Sequence, residues 1–139
     1  MLDIEVLRTS FRLIDEREPD FAARFYDRLF TRHPHLRPLF ARNSLEEQER
    51  MLYQALVAVL DHLEDAYWLE RALGKYGERH AGYGVTEKMY DQFGECLLDT
   101  LKESQGFAWT QQLSTAWADA YRSISDMMKA GAKTRTNEP

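Results

Sequence analysis

Apolar residues in this chain recur every three to four positions, and alternation with period two is nearly absent. That spacing lines one face of a helix, because a helix turns once in about 3.6 residues. A first helix is expected from about Asp3 to Asp15, with Val6, Leu7, Ser10, Phe11 and Ile14 inward. A second is expected from Pro19 to Arg32, with Phe21, Ala22, Phe25, Tyr26, Leu29 and Phe30 as its stripe. Proline suits a first turn, where an N–H would go unpaired anyway. Pro34 and Pro38 then make a tight corner. Its Leu36, Leu39 and Phe40 are apolar where a loop is ordinarily polar, so the corner covers something. Ser44 followed by Glu47 reads as a capping box. It opens a helix to about His62, with Gln48, Leu52, Ala55, Leu56, Val59 and Leu63 inward. Further helices are expected over Tyr67–Arg79, Glu87–Glu103 and Thr110–Lys129. The last of these is the most regular, with Leu113, Ala116, Trp117, Ala120, Tyr121 and Ile124 in register. Residues 131–139 are polar and are expected to fray. The pattern predicts an all-α domain over residues 1–130, with six to eight helices around one core.

Composition narrows the class. A chain of 139 residues fits one domain and buries roughly two thirds of its unfolded surface. A net charge of -5 with no basic run argues against nucleic acid as the main partner. No apolar run approaches the ~20 residues of a membrane span, and the first residues lack the basic and apolar regions of a secretory leader. Cytoplasm is the expected location. Cys96 is the only cysteine, which excludes an internal disulfide and a thiolate metal cluster. Seven Phe, seven Tyr and three Trp suit a core that holds a large flat guest, and equally any well-packed core.

One histidine stands apart. Leu69, Leu73, Tyr76 and His80 fall at steps of four, three and four, so His80 ends an apolar stripe. Gly82 and Gly84 follow it and break the helix. Such an imidazole is either a core histidine bonded to a carbonyl or an axial ligand to a flat metal cofactor wedged between helices.

The order of these pieces resembles the globin family, and within it the single-domain bacterial haemoglobins and the globin domain of flavohaemoglobins. Pro34 followed by Phe40 is similar to the globin corner whose phenylalanine stacks on haem. Gln48-Glu-Arg-Met-Leu52 resembles the start of the distal helix. Arg79-His80-Ala-Gly-Tyr-Gly-Val85 resembles the proximal histidine and its corner. Tyr90-Asp-Gln-Phe-Gly-Glu-Cys-Leu-Leu98 and Ala116-Trp-Ala-Asp-Ala-Tyr121 resemble the last two helices. The resemblance implies haem b (iron protoporphyrin IX) with His80 as iron ligand. It places Phe40, Leu52, Val85 and Tyr90 against the cofactor, and Tyr26 and Gln48 as distal hydrogen-bond donors. A slip of one residue would put Glu47 and Met51 in place of Gln48 and Leu52. Gln48 is preferred because it starts the stripe and a buried glutamate is costly. His62 lies fourteen residues beyond Gln48, roughly 21 Å along the helix, too far to close the site. His33 and His35 are expected in solvent.

Two departures matter. Flavohaemoglobins pair the proximal histidine with a tyrosine and a late glutamate. Tyr90 matches the tyrosine, but the glutamate's position is Ala132. No GxGxxG motif of a flavin reductase is present. The resemblance therefore implies first an oxygen-binding protein for storage or delivery, with CO and NO as further ligands. The alternatives are a nitric oxide dioxygenase served by an external reductase, a haem-based gas sensor, and a haem-free helical module. A monomer or weak homodimer is expected. Arg42, Arg50, Lys75 and Arg79 are candidates for the haem propionates.

Overall fold

The computed structural model describes residues 2–136, with only the backbone described for residues 134–136. Six α-helices follow one another: α1 (Ile4–Arg17), α2 (Phe21–Arg32), α3 (Leu45–Asp61), α4 (Ala66–Gly82), α5 (Glu87–Gln105) and α6 (Gln111–Thr136). 3-10 segments at Pro34–Phe40 and Gly106–Ala108 link α2 to α3 and α5 to α6. No strand occurs among the described residues, so the all-α expectation holds.

Polar side chains start the helices. Asp3 accepts from the Val6 N–H at 3.4 Å, Ser44 from the Glu47 N–H at 3.1 Å, and Asp65 from the Trp68 N–H at 3.0 Å. Each satisfies an N–H that the helix cannot pair internally. Gly106, at φ 62°, ends α5 in a conformation that side chains disfavour.

The core runs through Leu7, Ile14, Phe25, Leu29, Cys96 and Leu101, all essentially inaccessible. Phe25 meets Phe93 of α5 edge-on at 4.7 Å. Arg24, Arg28 and Arg32 of α2 share one face at four-residue steps. They pair with Glu103, Asp99 and Glu95 of the antiparallel α5. Between α1, α5 and α6, the Trp117 Nε1–H donates to Ser10 Oγ at 3.0 Å, and the Ser10 hydroxyl donates to Gln105 Oε1 at 2.7 Å. All three residues are buried.

Packing is uneven, and this shapes the site. Helix α4 lies tightly on α6, and α2 packs on α3 and α5. Helices α3 and α4 have no extended packing with each other. A Cβ on Gly77 would overlap the Met128 carbonyl of α6, and one on Gly131 would overlap the Gly74 carbonyl of α4. The α4–α6 seam is therefore backbone against backbone.

Several boundaries differ from expectation. Helix α1 continues to Arg17, and Pro19 lies in the turn before α2. Helix α6 runs past Lys129 to Thr136, so the expected tail is helical as far as it is described. Ala55 and Tyr76 are exposed, while Leu60 is buried. Tyr76 turns outward because the buried row on α4 is Leu69, Leu73 and Gly77. Neighbouring residues on a helix point about 100° apart, so seating Gly77 on α6 swings Tyr76 away.

Candidate functional site

Helices α3 and α4, which have no extended packing with each other, each carry expected site residues. On α4, His80 is half-buried, and its Nδ1 lies 2.6 Å from the Tyr76 carbonyl oxygen. A carbonyl only accepts, so Nδ1 carries the proton and Nε2 keeps its lone pair. Burial lowers the His80 pKa, Arg79 adds to that, and the Tyr76 hydrogen bond opposes it in part. The ring is thus biased toward the neutral form that binds metal. The His80 carbonyl accepts from the N–H groups of Tyr83 and Val85, both at 3.0 Å. These bonds fold the chain sharply after α4 through Gly84 at φ 95°, and half-buried Val85 follows.

Tyr26 of α2 is buried and donates its hydroxyl to the Gln48 carbonyl at 3.3 Å. That is long for an O–H···O bond. Its ring meets Phe25, Phe30 and Phe40 at 4.9, 5.9 and 5.5 Å. Burial, with a smaller contribution from the Glu49 charge, raises its pKa, so the phenol keeps its proton. On α3, Gln48 is half-buried and Leu52 buried, while Glu47 and Met51 are exposed. Of the two alternative pairs, Gln48 and Leu52 are therefore the more buried. Phe40 is half-buried at the end of its 3-10 segment.

Tyr90, at the start of α5, is buried, and its hydroxyl has no hydrogen-bond partner among the described residues. Lys129 Nζ lies 5.8 Å from its ring centroid, and the Tyr121 hydroxyl donates to the Tyr90 carbonyl at 2.6 Å. Position 132 lies within α6. His62 caps the far end of α3, with Nδ1 2.7 Å from the Ala58 carbonyl and its ring stacked on Trp68 at 3.6 Å. His33 departs from expectation: its Nε2 is buried with no partner among the described residues, because it caps α2 beneath the Pro34 corner. His35 Nε2 lies 3.3 Å from Gln92 Oε1.

Two contacts at the site were not expected. The Arg42 guanidinium sits 4.5 Å over the Tyr83 ring, and Tyr83 lies 6.5 Å from His80 between ring centroids. Tyr83 follows the helix-breaking glycine and shows no periodic signal. A cavity of about 330 Å³ between α1, α2 and α3, lined by Phe11, Phe21 and Tyr53, also touches Arg50, one of the propionate candidates, but none of His80, Tyr26, Gln48, Leu52 or Phe40.

The donors fit a metal already held in a flat ring. Among the described residues no three His, Cys, Asp or Glu side chains gather as a metal site. A lone neutral imidazole cannot hold a bare ion by itself, but it is a sufficient axial ligand for iron in a macrocycle.

The globin profile matches residues 23–128, and the chain belongs to the globin family. Haem is the group that this family binds. The flavohemoprotein of Rhizobium meliloti is 34% identical over 116 residues, which is 82% of this chain and 28% of that protein. That of Vibrio cholerae is 27% identical over 85% of this chain and 30% of its own length. The chain thus spans less than a third of these relatives. An engineered carbene transferase, derived from a putative nitric oxide dioxygenase of Rhodothermus marinus, superposes with a TM-score of 0.81 at 27% identity. The match covers 94% of this chain and 91% of that one. A bacterial globin from Campylobacter jejuni has the same fold, with a TM-score of 0.80 at 21% identity over 97% of both chains.

Proposed function

We propose that this globin binds haem b through His80 and reversibly takes up dioxygen. The observation that carries the reading is the pairing of Tyr26 with the first inward turn of α3. The Tyr26 hydroxyl ends at the carbonyl of Gln48, a half-buried residue. The iron, when bound, supplies an open coordination position for a diatomic gas. The chain supplies the rest. His80 Nε2 would hold the iron, and the Tyr76 carbonyl fixes its tautomer by accepting from Nδ1. Phe40, Leu52 and Val85 are apolar walls that exclude water. The Tyr26 hydroxyl and Gln48 amide are two hydrogen-bond donors toward a polar diatomic guest. Each such bond is worth about 1 kcal/mol net, more to a charged acceptor, so slow release is expected.

The first test is the visible absorption spectrum of the purified protein, ferric, reduced and then exposed to oxygen. A five-coordinate reduced form that converts to a stable oxygenated form supports the reading. No haem band after haem is added overturns it, as does a normal haem spectrum in His80→Ala. Replacing Tyr26 with Phe should speed oxygen release about tenfold for each ~1.4 kcal/mol lost. An unchanged rate would remove Tyr26 from the pocket.

A second reading, nitric oxide dioxygenase, draws support from the flavohemoprotein relatives and the Rhodothermus neighbour. It consumes NO, dioxygen and one electron to give nitrate, so it needs an external reductase. Sustained NO consumption well above the background of any oxygenated globin, with a reductase supplied, would select it.

A further inference from the structure

We propose that Arg42 and Tyr83 form a clasp between the turn before α3 and the C-terminal end of α4, and that this clasp slows the exchange of haem. The inference rests on the haem reading above.

Arg42 lies in the turn between the Pro34–Phe40 segment and α3. Tyr83 caps the C-terminus of α4. The two residues are far apart in sequence, one in the turn before α3 and the other at the end of α4. The helices α3 and α4 themselves have no extended packing that would join them. The guanidinium 4.5 Å over the Tyr83 ring bridges the gap.

Tyr83 is well placed to act as a gate post. Its one N–H donates to both the Arg79 and His80 carbonyls, at 3.1 and 3.0 Å, which fixes its backbone to the last turn of α4. Its ring is 6.5 Å from the His80 ring, so it stands beside the axial donor. About half of the ring is exposed, and Arg42 is exposed as well. A planar guanidinium on an aromatic face holds a preferred geometry but breaks readily at an exposed site. A contact that opens and recloses suits a mouth through which a large flat group must pass.

The clasp can be tested in two forms of the protein. In the haem-loaded form, haem loss is followed by transfer to an excess of apomyoglobin. Arg42→Ala and Tyr83→Ala should each speed loss about two- to fivefold, the range expected for an exposed cation–aromatic contact. The double variant should be no faster than either single one, because both remove the same contact. Tyr83→Phe keeps the ring and should stay slow. An unchanged Tyr83→Ala rate, or a double variant equal to the product of the singles, would overturn the clasp. In the haem-free form, ring current should shift the Arg42 side-chain proton resonances upfield, and Tyr83→Ala should abolish that shift. Arg42 resonances at ordinary positions would also overturn it. A wild-type protein that takes up no haem would instead defeat the functional reading and leave the haem-free contact measurable on its own.

Discussion

Gly74 and Gly77 lie one turn apart on α4, and alanine should act on them in opposite directions. A Cβ at position 74 meets nothing within 4 Å. Gly74→Ala should therefore gain the helix-propensity difference, about 0.5–1 kcal/mol. A Cβ at position 77 would overlap the carbonyl oxygen, carbonyl carbon and Cα of Met128. These are backbone atoms of α6, so no rotamer change relieves the clash, and α4 must lift from α6. Overpacking a tight interior costs typically about 1–3 kcal/mol, and rigid backbone puts this case at the upper end. Subtracting the propensity gain of about 1 kcal/mol leaves a net loss of about 2 kcal/mol. Gly131→Ala, which meets the Gly74 carbonyl from the other side, should behave like Gly77→Ala. Urea unfolding of the haem-free protein, followed by far-UV circular dichroism, measures all three. If Gly77→Ala proves as stable as Gly74→Ala, the backbone-on-backbone seam is wrong, and with it the account of why Tyr76 faces outward.

Two further outcomes follow from buried polar groups. Ser10→Ala strands the Trp117 N–H and the Gln105 amide oxygen, both buried. Each unsatisfied group costs about 1–3 kcal/mol, so urea unfolding should show a loss of about 2–6 kcal/mol for the two. A loss under about 0.5 kcal/mol would mean that water replaces the hydroxyl. Burial raises the pKa of Tyr26 and Tyr121, which sets the sign of an alkaline effect. Below about pH 10 both are neutral whether folded or unfolded, and their contribution is intact. Above it the unfolded chain ionises first, and stability falls by up to about 1.4 kcal/mol per pH unit for each tyrosine. Unfolding free energies between pH 9 and pH 11 on this scale should give a shallower decline for Tyr26→Phe, and an unchanged slope would refute the assignment.

Much of this protein follows from the order of its side chains alone. Helical periodicity is a local property, so the helices and most of their buried faces are readable from spacing. Capping is local as well, which is why Ser44 and Glu47 marked the start of α3. His80 and Gln48 stand out as polar residues at the ends of apolar stripes, and Tyr26 through the globin resemblance. Other features depended on how helices approach one another. That Gln48 and Leu52 are more buried than Glu47 and Met51 turns on a rotation of about 100°, which spacing alone does not fix and the packing of α3 against α2 does. The burial of the His33 Nε2 atom is likewise a matter of tertiary packing. The exposure of Tyr76 comes from two glycines that let α4 rest on the α6 backbone, and a missing side chain leaves no apolar signal. The Arg42–Tyr83 contact joins two corners far apart in the chain. Periodicity carries no record of such pairs, because it reports which face of a helix is buried and not what lies opposite it.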